Sequence, residues 1–184
     1  MTTEFIYDAV VVGGGPAGAT AAQTLAEKGK QVLLLDKRGR IKPCGGAIPP
    51  RLIKDFQIPD ELLVAKAKSA RMVSPLGKTV DIPIENGFVG MVDRSHFDEW
   101  LRQRAVAAGA TREDGLFESL TREGPYARIY YRTRGARDGD QGVLKSVLAK
   151  AVIGADGEVS TAKNLVVVGG PAVNRVTAKR SEER

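Results

Sequence analysis

The segment from Asp8 to Asp36 constrains the fold of this chain more than any other. An apolar run, Ala9-Val10-Val11-Val12, enters Gly13-Gly14-Gly15-Pro16-Ala17-Gly18, and a second run, Val32-Leu33-Leu34-Leu35, ends in Asp36. Strand, glycine turn, helix, strand and terminal acid together make the fingerprint of a dinucleotide-binding βαβ unit. In that pattern Gly13 permits the tight turn, Gly15 lets the backbone come close to a pyrophosphate, and Gly18 lets the helix lie against the strand.

The first amides of a helix lack intrahelical acceptors, and the helix dipole leaves partial positive charge beside them. A pyrophosphate over Gly14 to Ala17 is therefore stabilised without any basic side chain. Pro16 suits a helix start because its missing N–H costs little there. Small or apolar residues recur along the helix at Ala17, Ala21, Ala22, Leu25 and Ala26, and Gly29 stops it. Asp36 stands where a carboxylate accepts hydrogen bonds from ribose hydroxyls and disfavours a 2′-phosphate, although Lys37 and Arg38 could offset that repulsion.

The 184 residues suit one α/β domain with a sizeable core. No apolar stretch approaches the roughly 20 residues that span a bilayer, and Met1-Thr2-Thr3-Glu4 lacks the basic start of a signal peptide, so the expected location is cytoplasmic. One cysteine, Cys44, excludes an intrachain disulfide, and one histidine, His96, leaves no metal-ligand spacing. The net charge of +6 comes from basic residues interspersed with acids and few aromatics, a pattern unlike a nucleic-acid stripe.

After Asp36 the chain enters a Gly/Pro-rich loop, Lys37 to Pro50, where a simple dehydrogenase would place a crossover helix. Short helices are expected around Leu52, Ile53 and Phe56 and at Leu62-Leu63-Val64, then strands at Met72-Val73 and Val80-Asp81-Ile82 about the turn Pro75-Leu76-Gly77. A second helix is expected from near Asp93 or Ser95, with Ser95 and Asp98 in capping-box spacing and Phe97, Leu101, Ala105 and Ala108 buried, ending at Gly109. Arg94 at its start is either solvated or a contact to a cofactor phosphate or ribose. Ala127, Ile129 and Tyr131 alternate with Arg128, Tyr130 and Arg132 as a half-buried strand does, and Arg134 to Gly142 reads as a polar turn. A further strand through Val152-Ile153 delivers Gly154-Ala155-Asp156-Gly157, either a plain turn or a ligand-facing carboxylate.

These segments resemble flavin-dependent geranylgeranyl reductases, within the para-hydroxybenzoate hydroxylase-like flavoproteins. The resemblance covers about residues 7 to 160 and rests on the glycine fingerprint with Asp36, on Lys42-Pro43-Cys44-Gly45-Gly46-Ala47-Ile48-Pro49, on Val92-Asp93-Arg94-Ser95-His96-Phe97-Asp98, and on Ile153-Gly154-Ala155-Asp156-Gly157. With Phe88-Val89-Gly90-Met91-Val92, the Lys-Pro-Cys-Gly-Gly segment is most similar to the branch acting on chlorophyll or bacteriochlorophyll side chains.

The resemblance implies an FAD enzyme that takes hydride from NADPH and reduces a geranylgeranyl chain, as free diphosphate or esterified to a (bacterio)chlorophyll, towards phytyl. It implies cofactor contacts from Gly13, Gly14, Gly15, Ala17, Gly18, Asp36, Lys37, Gly45, Gly46, Arg94, Asp156 and Gly157. Protonation of the second alkene carbon needs a donor, for which Cys44 is the candidate, the alternative being a small buried packing residue. His96 is expected to be structural. A lipid-soluble substrate implies peripheral contact with a photosynthetic membrane.

The fold expected is thus a Rossmann-like FAD-binding βαβ unit with a parallel sheet and inserted strands, ending before a substrate domain. Residues 1–160 form a partial FAD-binding domain and residues 161–184 an atypical tail. Members of the family continue into a second, sheet-containing domain, so the chain by itself is expected to be incomplete and inactive. Leu165-Val166-Val167-Val168-Gly169-Gly170-Pro171 echoes the fingerprint without its third glycine. Two other classes share the opening βαβ unit: an NAD(P)-dependent dehydrogenase and a non-catalytic nucleotide-binding module.

Overall fold

The structure is a computed structural model, and it describes residues 4–37, 44, 46–85, 87–133 and 142–157. In chain order the elements are β1 (Ile6–Val12), α1 (Pro16–Glu27), β2 (Val32–Asp36), β3 (Ala47–Ile48), α2 (Pro50–Asp55), a 3-10 turn (Asp60–Leu62), β4 (Leu63–Ala67), β5 (Ser69–Val73), β6 (Thr79–Pro83), β7 (Val89–Val92), α3 (Arg94–Ala107), β8 (Thr111–Glu123), β9 (Tyr126–Thr133) and β10 (Leu144–Gly154). The chain divides into two compact units, one of residues 1–39 and 101–184, the other of residues 40–100.

The first unit is built on β1. Its apolar run pairs in parallel with β2 on one side and with β10 on the other, and β2 pairs in parallel with the start of β8. The parallel order is therefore β8-β2-β1-β10, the arrangement expected of a Rossmann-like sheet. β9 runs antiparallel to both β10 and the later part of β8, so the five strands close on themselves. Val10, Val12, Leu33 and Leu35 point to one side of β1 and β2, where they form a core with Phe117, Ala127, Ile129, Tyr131 and Ala149. α1 packs on β1 and β2, burying Gly18, Ala19, Ala22 and Ala26.

β8 was not anticipated. Its thirteen residues carry charges at Arg112, Glu113, Asp114, Glu118, Arg122 and Glu123, and a register shift between Phe117 and Ser119 interrupts the alternation. β9 follows its expected pattern, with Ala127, Ile129 and Tyr131 buried. Tyr131 reaches from the core to donate its hydroxyl to Glu113 at 2.6 Å, and Lys145 pairs with the same carboxylate.

In the second unit β3, β7 and β4 form an antiparallel sheet, and β5 and β6 a separate hairpin about Pro75-Leu76-Gly77. The helix expected at Leu62-Leu63-Val64 is instead the 3-10 turn followed by β4. Backbone pairing with β7 decides the state of this short apolar run, which local pattern cannot distinguish from a helix. α3 spans the residues expected, and Phe97, Leu101 and Ala105 are buried while Ala108 is only partly so. Its cap differs from the capping box: Asp93 accepts from the Ser95 amide at 2.8 Å and from its hydroxyl at 2.6 Å, while Asp98 pairs with Arg94.

Among the described residues no helix is long and apolar enough to cross a membrane, and no group of three or more His, Cys, Asp or Glu side chains could hold a metal ion. Arg38, Gly45, residues 134–141 of the expected polar turn, and residues 158–184, including Leu165 to Pro171 and the tail, lie outside the described residues.

Candidate functional site

The glycine turn between β1 and α1 is shaped by what stands around it. Gly13 adopts φ of +105°, a conformation that favours glycine, and a side-chain carbon there would fall 2.5 Å from the Ala155 carbonyl oxygen. The Ala155 amide donates to the Val12 carbonyl at 2.7 Å, so the turn after β10 is laced to the end of β1. Asp156 and Gly157 lie exposed on that turn, and the same side-chain carbon at Gly13 would fall 2.7 Å from Asp156 Cα.

A side-chain carbon at Gly18 would stand 1.8 Å from the Gly13 carbonyl oxygen, so only glycine lets α1 seat this close. At Gly15 the same atom would meet nothing within 4 Å. Gly15 is the N-cap of α1 and offers no side-chain oxygen to the first amides; no acid occupies the first turn, and Ala17 is exposed. An open approach, an uncapped helix start of twelve residues and a carboxylate alongside are what an adenosine dinucleotide requires.

That carboxylate is Asp36, at the end of β2 and 15 % exposed in its side chain. It lies against Gly14 and is held by Arg102, whose Nη2 stands 3.0 Å from Asp36 Oδ2. The Arg102 Nε donates to the Gly14 carbonyl at 2.9 Å. The sequence reading missed Arg102. It lies 88 residues from Gly14 on the polar flank of the buried stripe of α3, and nothing local marks it as different from Gln103 or Arg104. Lys37, next to Asp36, is exposed.

The other sequence-predicted residues belong to the second unit. Arg94 donates from Nε and Nη2 to the two oxygens of Asp98 at 2.7 and 2.8 Å, with both side chains largely buried. That hydrogen bonding raises the Arg94 pKa against the opposing effect of burial, with a smaller contribution from a hydrogen bond with Cys44. Cys44 is exposed, which corrects the alternative of a buried packing residue. Gly46 accepts from the Val92 amide at 2.9 Å and is packed so tightly on Val92 that a side-chain carbon would fall 2.1 Å from its carbonyl oxygen. His96 is exposed at the start of α3, its Nδ1 3.2 Å from Asp93.

Comparison with known proteins agrees with this geometry. Residues 11–58 match the family described as the NAD(P)-binding Rossmann-like domain. The chain is 58% identical over 160 residues to a geranylgeranyl diphosphate reductase of Rhodobacter capsulatus, covering 87% of this chain and 40% of that protein. It is 38% identical over 155 residues to the chloroplastic geranylgeranyl diphosphate reductase of Arabidopsis thaliana, covering 80% of this chain and 33% of that one. Among solved structures, a geranylgeranyl bacteriochlorophyll reductase-like protein of Thermoplasma acidophilum superposes with a TM-score of 0.73 at 28% identity, over 84% of this chain and 40% of the other. The chain thus spans about two-fifths or less of the length of these relatives.

Proposed function

We infer, from a chain that belongs to the geranylgeranyl reductase family, that the protein containing it is an FAD-dependent oxidoreductase reducing the double bonds of a geranylgeranyl chain. The substrate class is geranylgeranyl diphosphate or a geranylgeranylated (bacterio)chlorophyll, in pigment biosynthesis. The chemistry a bound FAD supplies is hydride delivery to one alkene carbon, with NADPH as the source of the electrons.

The residues of this chain then have separate tasks. The first-turn amides of α1, reached over Gly14, Gly15 and Ala17, hold the pyrophosphate, and Asp36 takes the adenosine ribose. Asp156 and Gly157 meet the ribityl or pyrophosphate region. Lys37, Gly45, Gly46 and Arg94 are assigned to the cofactor, and Cys44 Sγ is the proposed proton donor to the second alkene carbon. A lipid-soluble substrate supports peripheral attachment to a photosynthetic membrane, which co-sedimentation with that membrane tests.

The observation that carries the choice of FAD over a nicotinamide cofactor is the path of the chain after Asp36. A dehydrogenase repeats its βαβ unit directly, whereas here residues 40–100 form a unit of their own before the sheet resumes at β8. Titrating the purified chain with FAD, NAD+ and NADP+ tests the reading. Tightest binding to FAD is expected; preference for a nicotinamide dinucleotide favours the dehydrogenase, and equal weak binding of all three favours a non-catalytic nucleotide module.

A further inference from the structure

We propose that Arg102 is a positioning residue that aims Asp36 at the adenosine ribose and so sets the site's recognition of the ribose 2′-hydroxyl. The inference rests on the reading of Asp36 as the ribose acid, and it holds for any adenine dinucleotide.

One guanidinium serves two acceptors on different segments of the site. Nε donates to the carbonyl of Gly14, inside the glycine turn, and Nη2 lies 3.0 Å from Asp36 Oδ2 at the end of β2. The fork of arginine suits this task because its donors are coplanar and fixed relative to each other, so bonding one acceptor orients the donor to the other. With Arg102 only 17 % and Asp36 15 % exposed in their side chains, the pair is shielded from the screening that weakens surface ion pairs.

The consequence concerns the rotamer of Asp36. Asp36 lies so close over Gly14 that a side-chain carbon there would strike its Cβ, Cγ and Oδ2, and Arg102 engages Oδ2. Asp36 Oδ1 is then the oxygen presented to an incoming hydroxyl. The carboxylate also keeps a cation beside it, so its own negative charge is balanced while it accepts that hydrogen bond.

The test uses ADP and 2′-deoxy-ADP as probes, by calorimetry on the full chain. The unaltered protein is expected to bind ADP about tenfold or more tighter than 2′-deoxy-ADP, the value of a hydrogen bond to a charged acceptor. Asp36→Asn removes that ratio. Arg102→Met is expected to bring the ratio close to one while 2′-deoxy-ADP binding changes little, and Arg102→Lys, which keeps the charge without the fixed planar fork, to restore it in part. Thermal melting of each variant verifies folding. If Arg102→Met weakens both probes equally and keeps the ratio, Arg102 is merely structural and the inference fails while Asp36 stands. If the unaltered protein binds ADP with no preference over its deoxy form, the reading of Asp36 itself fails.

Discussion

The Asp36 carboxylate packs directly on Gly14: a side-chain carbon at residue 14 would fall 2.7 Å from Asp36 Oδ2 and 2.8 Å from its Cβ and Cγ. One residue further on, at Gly15, the same atom would have open space around it. Adjacent glycines in one turn therefore meet different demands. Gly14 makes room for a side chain of the protein, and Gly15 leaves room that the protein itself does not use.

Gly15→Ala separates folding from binding. Gly15 has φ of −72° and ψ of −177°, which any residue adopts, so the variant should melt within about 1 kcal/mol of the parent. A methyl group at the mouth of the site should still weaken dinucleotide binding by about tenfold to a hundredfold, the cost of overpacking a close contact. Calorimetric titration with FAD beside a thermal melt checks both; unchanged affinity would place the pyrophosphate elsewhere.

Gly18→Ala should do the opposite, because its new carbon would strike a carbonyl oxygen of the chain. A separation of 1.8 Å from Gly13 O forces α1 away from β1, and stability should fall by about 3 kcal/mol or more. A melting temperature lowered by roughly 10 °C in the absence of ligand is the expected reading.

The contrast between these glycines was legible in the sequence because each carries one steric requirement tied to a fixed place in the βαβ pattern. Asp36 was legible for the same reason, and β9 because its alternation survives intact from Ala127 to Tyr131. β8 was not, since its bulge near Phe117 breaks the period and its charges find partners on other strands: Glu113 with Lys145, Glu118 with Arg132, Glu123 with Arg128. Arg102 was hidden for a different reason. Its acceptors lie in the glycine turn and at the end of β2, distant in sequence, and only the folded sheet brings them to α3.

Glu113 makes acid stability a measurable property of the core. Burial pushes its carboxyl pKa up, but hydrogen bonds from Lys145 and Tyr131 outweigh that and hold it below the ordinary value of 4.5. A carboxylate with a lowered folded pKa contributes stability that is fully present above the unfolded value and is lost as pH falls through the folded one. Urea midpoints measured from about pH 6 down to about pH 3 should therefore fall more steeply for the parent than for Glu113→Gln. Parallel curves for the two proteins would show that the network does not favour the ionised form.

Asp93 tests the start of α3. Its carboxylate accepts from both the amide and the hydroxyl of Ser95, and these hydrogen bonds hold its pKa down. Asp93→Ala leaves the first amides of the helix without that cap and should lower stability, whereas Asp93→Ser retains a capping oxygen and should recover most of the loss. The difference between the variants should shrink as acid protonates the parent carboxylate, because its lowered pKa makes the cap strongest where Asp93 is ionised. Melts of the three proteins near neutral pH and again near about pH 3 measure that difference, and a gap unaffected by acid would mean that the charge of Asp93 plays no part in the cap.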